Sequence, residues 1–384
     1  MIIDLPSTTS AAINKSMVDI REKGGTVSLS RVLTLVIVTD ESDSEAPIAA
    51  ANAASFEHPC RVIVIAQGSK RGTARMDAQI RVGGDAGASE VIVLRLFGPM
   101  AEHGASVVIP LLLADAPVVA WWPGASPEKP SVDPIGVLAQ RRITDAASDR
   151  KPRSAILARR GVYAPGDTDL AWTRLTVWRG LLAAALDQPP HDRIVSITVS
   201  GASDSASTDL LAAWLSQRLK SPVTRDVSGR AGSGLKSVTL QRRSGEITLA
   251  RIEGSTATLT MKDQPVRELA LPRRTLRDCL SEELRRLDAD EVYAEVLTKG
   301  LPLKDAAPKK PATRAAASKP AAAKPATAKP AAAKATTDTA PKVTTPKAAA
   351  SKGTPAKPPS ATITAAKATP VRTPRKAAPK KAKS

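Results

Sequence analysis

The sequence predicts two α/β domains with mixed sheets, the first Rossmann-like, followed by a disordered basic C-terminal tail. Three observations carry that reading. Continuous β-branched runs such as "RVLTLVIVTD" and "CRVIVIAQG" alternate with helical patterns, which indicates parallel strands buried on both faces. Further along, "KSVTLQRR", "EITLARI", "TATLTMK" and "VRELAL" follow one another with no helix between them, the pattern of an antiparallel meander. From Lys304 onward Ala, Lys, Pro and Thr dominate, with nothing able to form a core. The expected boundaries are 1–150, 151–303 and 304–384.

The elements follow in order. "STTSAAINKSMVDIREKGG" opens with Ser/Thr caps, has apolar positions at Ile13, Met17, Val18 and Ile20, and stops at Gly24-Gly25, which together read as an opening helix. The strand "RVLTLVIVTD", the alanine-rich helix "APIAAANAASFEHP" and the strand "CRVIVIAQG" make a βαβ unit. "DAQIRVGGDAGASEVIVLRL" reads as two strands around a glycine loop, "AEHGASVVIPLLLAD" as a helix despite Pro110, and "APVVAWW" as a strand. "DPIGVLAQRRITDAAS" supplies a short helix and then a strand or loop.

"TDLAWTRLTVWRGLLAAALDQPP" is the strongest helical pattern. Asp167 or Thr168 is placed to cap it, and Ala171, Leu175, Trp178, Leu182 and Ala185 recur at helical spacing. A strand "RIVSITVSG" and a helix "STDLLAAWLSQRLK" precede the meander. Two helices, "RRTLRDCLSEELRRL" and "ADEVYAEVL", close the folded part.

The net charge of +19 lies almost wholly in the tail. Residues 304–384 hold 19 Lys/Arg against 2 Asp/Glu, leaving 37 basic and 35 acidic residues before them. The folded part is therefore near neutral, and the tail reads either as a solubilising segment or as a non-specific, salt-sensitive nucleic-acid arm. Two cysteines, Cys60 and Cys279, are too few for a disulfide scaffold and lack zinc spacing, which fits a reducing, cytoplasmic setting. The N-terminus has no basic region followed by an apolar one, so no secretory signal is expected. The most apolar window is broken by Pro110, Asp115 and Pro117, so no membrane span is expected.

No catalytic, cofactor or metal motif stands out. His58, His103 and His191 are scattered, and Cys60 beside His58 reads as a small buried residue at a strand start. "GRAGSGLKS" approaches a phosphate loop but has Leu235 where lysine is required. "SGASDSASTD" leads from a strand into a helix whose first N–H groups can meet an anion, without a glycine fingerprint.

Recognition chemistry is richer. Nine aromatic residues serve the whole chain, so each tryptophan has a local reason. Trp121 and Trp122 end an apolar strand on opposite faces, one for the core and one for the rim. Arg141, Arg142 and Asp145 suit an ion-pair network or a partner's acidic group. On the strongest helix, Trp172, Arg174 and Arg179 combine amphipathic area with planar cations, the residue types of interface hot spots, while Trp178 lies on the apolar stripe.

"TSAAINKSMVDIREKGG", "AASFEHPCRVIVI", "PLLLADAPVVAWWPG", "RRITDA" and "DTDLAWTRLTVWRGLLAAALDQP" occur in this order. Taken together they closely resemble the glucose-6-phosphate dehydrogenase assembly protein family, also called OpcA, of actinobacteria and cyanobacteria. The resemblance runs from about Ile3 to Leu301. It implies a non-catalytic allosteric activator of glucose-6-phosphate dehydrogenase at the entry to the oxidative pentose phosphate pathway. It also implies that Trp121, Trp122, Arg141, Arg142, Asp145, Trp172, Arg174 and Arg179 serve partner recognition. The tail and any thiol regulation lie outside what it implies. The competing readings are a degenerate α/β enzyme for a small molecule or nucleotide, and a DNA-associated protein acting through its tail.

Overall fold

Continuous apolar runs form the middle of an eight-stranded sheet in the computed structural model, which describes residues 1–24, 32–83, 90–252 and 254–303. Its strands are β1 (Ile2–Leu5), β2 (Leu33–Asp40), β3 (Cys60–Gln67), β4 (Arg75–Val82), β5 (Glu90–Phe97), β6 (Val118–Trp121), β7 (Arg141–Thr144) and β8 (Asp167–Asp169). They lie in the order β1-β4-β5-β3-β2-β6-β7-β8. The six from β5 to β8 are parallel. Numbered by their appearance in the chain, those six read 3-2-1-4-5-6, the order of a doubly wound dinucleotide-binding sheet. The chain passes from β3 to β5 through the antiparallel strand β4, whose outer edge β1 covers.

Burial on both faces explains the unbroken apolar runs. On one face α1 (Ser10–Gly24) and α3 (Gly104–Val108) bring Ile13, Met17, Val107 and Val108 against Val36, Ile63, Ile65, Ile92 and Leu94. On the other, α2 (Glu45–Ala54) shares the cover with α8 (Leu276–Arg285), which returns from the far end of the chain with Cys279, Leu280 and Leu284. The first sheet is thus completed by β8 and α8, both beyond the boundary expected near residue 150.

The second sheet has the order β10-β9-β11-β12-β13-β14, built from β9 (Ile194–Gly201), β10 (Val223–Val227), β11 (Leu235–Arg242), β12 (Gly245–Arg251), β13 (Thr256–Met261) and β14 (Arg267–Ala270). β9 and β10 are parallel, and the expected meander is antiparallel. Against one face lie α4 (Pro152–Val162), α5 (Leu170–Thr173), α6 (Thr176–Leu186), α7 (Ala206–Leu219) and α9 (Glu291–Glu295). Ile156, Trp178, Leu182, Leu211 and Tyr293 share their core with Val199, Leu240 and Leu249.

Three expectations change. The single helix from Asp167 becomes β8, α5 and α6, because residues 167–169 pair with β7 and the helical run breaks at Arg174 and Leu175. The cap is Asp169, whose side chain accepts from the Ala171 N–H, rather than Asp167 or Thr168. The helix expected across Pro110 ends at Val108 and continues as a 3-10 turn, since proline offers no N–H. The tail lies outside the described residues. No helix among those described is long and apolar enough to cross a membrane.

Candidate functional site

The predicted recognition residues are brought together, but inside the protein. Arg141, on β7, donates through Nε and Nη2 to Glu283 of α8 and through Nη1 to the Asp288 carbonyl. The other Glu283 oxygen accepts from Thr173 at 2.5 Å. Arg142 pairs with Asp167 and donates to the Ala139 carbonyl at 2.8 Å. Arg174 grips Asp145 with two bonds of 2.7 Å each. Trp172 Nε1 donates to Asp290 at 2.8 Å, and the Arg179 guanidinium lies 3.8 Å from the centre of the Trp172 ring. Strand, helix and closing segment are therefore tied by one polar joint.

Burial corrects the surface roles expected for the tryptophans. Trp121 is 0%, Trp122 2% and Trp172 1% exposed, which leaves none of them an interface area. Trp121 and Trp122 do point to opposite faces, but each face is covered by helices, so neither forms a rim. Arg141, Arg142 and Asp145 are buried for the same reason: each is consumed by an internal partner. Arg174 and Arg179 keep partial exposure.

The electrostatics are those of a tightly packed joint. Asp169 accepts from Thr144 Oγ1 at 2.7 Å and from the N–H groups of Ala146 and Ala171. Burial, followed by the charge of Asp145, pushes its pKa up to about 7. Burial works against the Arg174 cation, yet the hydrogen bonds and charge of Asp145 outweigh it and raise its pKa. Burial lowers the pKa of Arg179, opposed by Asp290, Glu282 and Glu283.

Beside this joint opens a cavity of about 320 Å³. Arg174 and Trp178 contribute one wall, and the β9–α7 turn at Asp204 and Ser205 another. Gly232 and Gly234 of the loop into β11, with Arg251, Arg273 and Arg274, complete it. The "SGASDSASTD" turn and the "GRAGSGLKS" loop are separate in sequence; the fold places them on one cavity, where Asp204 accepts the Gly232 N–H at 2.9 Å. The arginines carried no motif, since they come from separate segments.

A second crevice, about 310 Å³, lies at the C-terminal ends of β2 and β6, where strand order reverses. Sheets of this order hold pyrophosphate there, on a glycine-rich turn opening the first helix. Here the turn reads "TDESDSEAP" without glycine, and Asp40 and Asp43 line the crevice. Glu45 occupies the first turn of α2, so the helix N-terminus is already complemented by side-chain charge.

Fold and site together define a two-sheet α/β protein that keeps a dinucleotide-binding strand order while carrying carboxylates at the phosphate position. Two family models match it in succession: the glucose-6-phosphate dehydrogenase subunit N-terminal domain over residues 51–161, and the corresponding C-terminal domain over 165–297. The chain belongs to the glucose-6-phosphate dehydrogenase assembly protein family, OpcA. A search among curated proteins finds no significant match. Among solved structures, glucose-6-phosphate 1-dehydrogenase from Mycobacterium avium is similar at 13% identity and a TM-score of 0.39, over 70% of this chain and 90% of that one. A Gfo/Idh/MocA family oxidoreductase from Vibrio cholerae is similar at 10% identity and a TM-score of 0.30, over 70% and 94%. Likenesses at these scores transfer no property to this chain.

Proposed function

We propose that this chain is a non-catalytic partner subunit of glucose-6-phosphate dehydrogenase, which it helps to assemble and activates allosterically at the entry to the oxidative pentose phosphate pathway. The observation that carries the reading is the succession of both family domains across the two sheets. The carboxylates at the strand-order reversal support it, because they repel the pyrophosphate that a dehydrogenase's own cofactor would place there. Turnover then belongs to the partner.

The test is NADP reduction across glucose-6-phosphate concentrations, with the chain alone, the cognate dehydrogenase alone, and both together. The expected result is no reduction by the chain and a raised kcat/KM for the mixture. Unchanged kinetics with both proteins folded overturns the proposal. A form ending at residue 303 is expected to activate fully, because the family match stops at 297, and to lose salt-sensitive nucleic-acid retention. If it fails to activate, the tail belongs to the interface.

A further inference from the structure

Four guanidinium groups reach the 320 Å³ cavity from three parts of the chain: Arg174 after α5, Arg251 at the end of β12, and Arg273 with Arg274 before α8. Arg174 has Asp145 and Arg274 has Glu282 as carboxylate partners. Among the described residues, Arg251 and Arg273 have none. Arg251 donates to the carbonyls of Leu271, Leu235 and Pro272, and Arg273 to that of Ser233 at 2.7 Å. The one carboxylate on the wall, Asp204, faces the Gly232 N–H instead.

Two cations therefore share a cavity in which neither is paired with a carboxylate. Burial first, and then the charge of Arg273, push the Arg251 pKa down to about 10. The start of α7 faces the same cavity, and the Asp209 carboxylate in its first turn is taken up by Arg153 and Arg225. Ser205 caps the Thr208 N–H, while the N–H groups of Ala206 and Ser207, both on the cavity wall, have no acceptor among the described residues. Gly234, at φ +69°, lets the Arg273 guanidinium lie against the loop, 3.2 Å from where a Cβ would stand. The wall also has an apolar part, with Leu175, Leu235 and the Trp178 ring, over which Arg251 sits at 5.2 Å.

We propose that this cavity binds a small phosphomonoester, its phosphate held by Arg251, Arg273 and the start of α7, and its carbon skeleton against Leu175, Trp178 and Leu235. Planar guanidinium forks and free helix-terminal N–H groups are the donors that suit phosphate oxygens. Size restricts the ligand, because 320 Å³ stands at the lower end of the ~300–1,000 Å³ of small-molecule pockets and excludes a whole dinucleotide. The site differs from the crevice at the strand-order reversal and does not depend on the dehydrogenase.

The full chain would be titrated calorimetrically, with ³¹P line broadening in parallel, against inorganic phosphate, glycerol phosphate and a hexose phosphate, and against glycerol and hexose as controls. Saturable binding of at least one ester, and none of the alcohols, is expected. R273Q and R251Q should each weaken it about tenfold or more, equivalent to ~1.4 kcal/mol. R243Q, an exposed arginine outside the cavity, should not. Arg273 is exposed, so R273Q is expected to keep the parent's thermal unfolding curve and remain decisive if R251Q is misfolded. Three results overturn the proposal: no saturable ester binding, binding of inorganic phosphate with exclusion of the esters, or binding insensitive to R273Q, which would place the anion on the basic tail.

Discussion

Trp172 illustrates why side-chain roles were harder to read than elements. On one continuous helix from Asp167 it falls off the apolar stripe, beside Arg179, and reads as a surface anchor. The run is instead interrupted at Arg174 and Leu175, which changes its phase relative to α6 and turns the indole inward, where the Tyr293 ring packs at 6.0 Å. Trp172→Ala is accordingly expected to cost ~3–5 kcal/mol of stability through the cavity it opens. Trp172→Phe, which keeps most of the packing but abandons the Asp290 carboxylate, should cost ~1–3 kcal/mol. Urea unfolding of both variants checks this, and a Trp172→Ala protein as stable as the parent would refute the packing assignment. Asp169 adds a pH dependence. Its folded pKa is raised from 3.8 to about 7, so the folded state holds the proton more tightly than the unfolded chain. The stability this gives is complete below about pH 4 and disappears as pH rises through about 7. Asp169→Asn should therefore flatten the fall in unfolding free energy between those limits, measured by urea titration at several pH values; an unaltered slope would assign it to another group.

The elements divide by how local their cause is. Parallel strands buried on both faces announce themselves as apolar runs, and α7 and α8 as helical patterns, whose caps in the structure are Ser205 and the Thr275–Asp278 capping box. Edge strands β1 and β10 are short and half exposed, so no pattern marks them. β8 reads "DTD" and is fully buried, because its polar side chains find Arg142, Glu283 and Thr144, all distant in sequence. Likewise "CLSEELRRL" shows that α8 is an amphipathic helix but not that Glu283 faces Arg141. That pair is testable as a unit. Arg141→Met strands a buried carboxylate and should cost ~3–5 kcal/mol, whereas Arg141→Met with Glu283→Met should recover much of the loss. Thermal and urea unfolding of the two single variants and the double variant give the coupling. Additive losses would mean that the bridge does not join β7 to α8.

At the scale of the whole molecule, the sequence suggests two separable domains, and the family matches meet between residues 161 and 165. The packing opposes separation. Without the segment that follows, the first sheet loses β8 and the cover given by Leu170, Cys279, Leu280 and Leu284, and Arg141 loses Glu283. Uncovering each large apolar side chain removes ~1.5–3 kcal/mol. Together these approach the ~5–15 kcal/mol that holds an ordinary domain folded. A fragment of residues 1–165 is therefore expected to unfold without cooperativity and to bind a dye for exposed apolar surface, while residues 1–303 unfold in one transition followed equally by far-UV and near-UV circular dichroism. A sharp, reversible transition in the shorter fragment would show that α8 is only an accessory cover, and the joint around Arg141 and Glu283 would then have to be explained by something other than the folding of the first sheet.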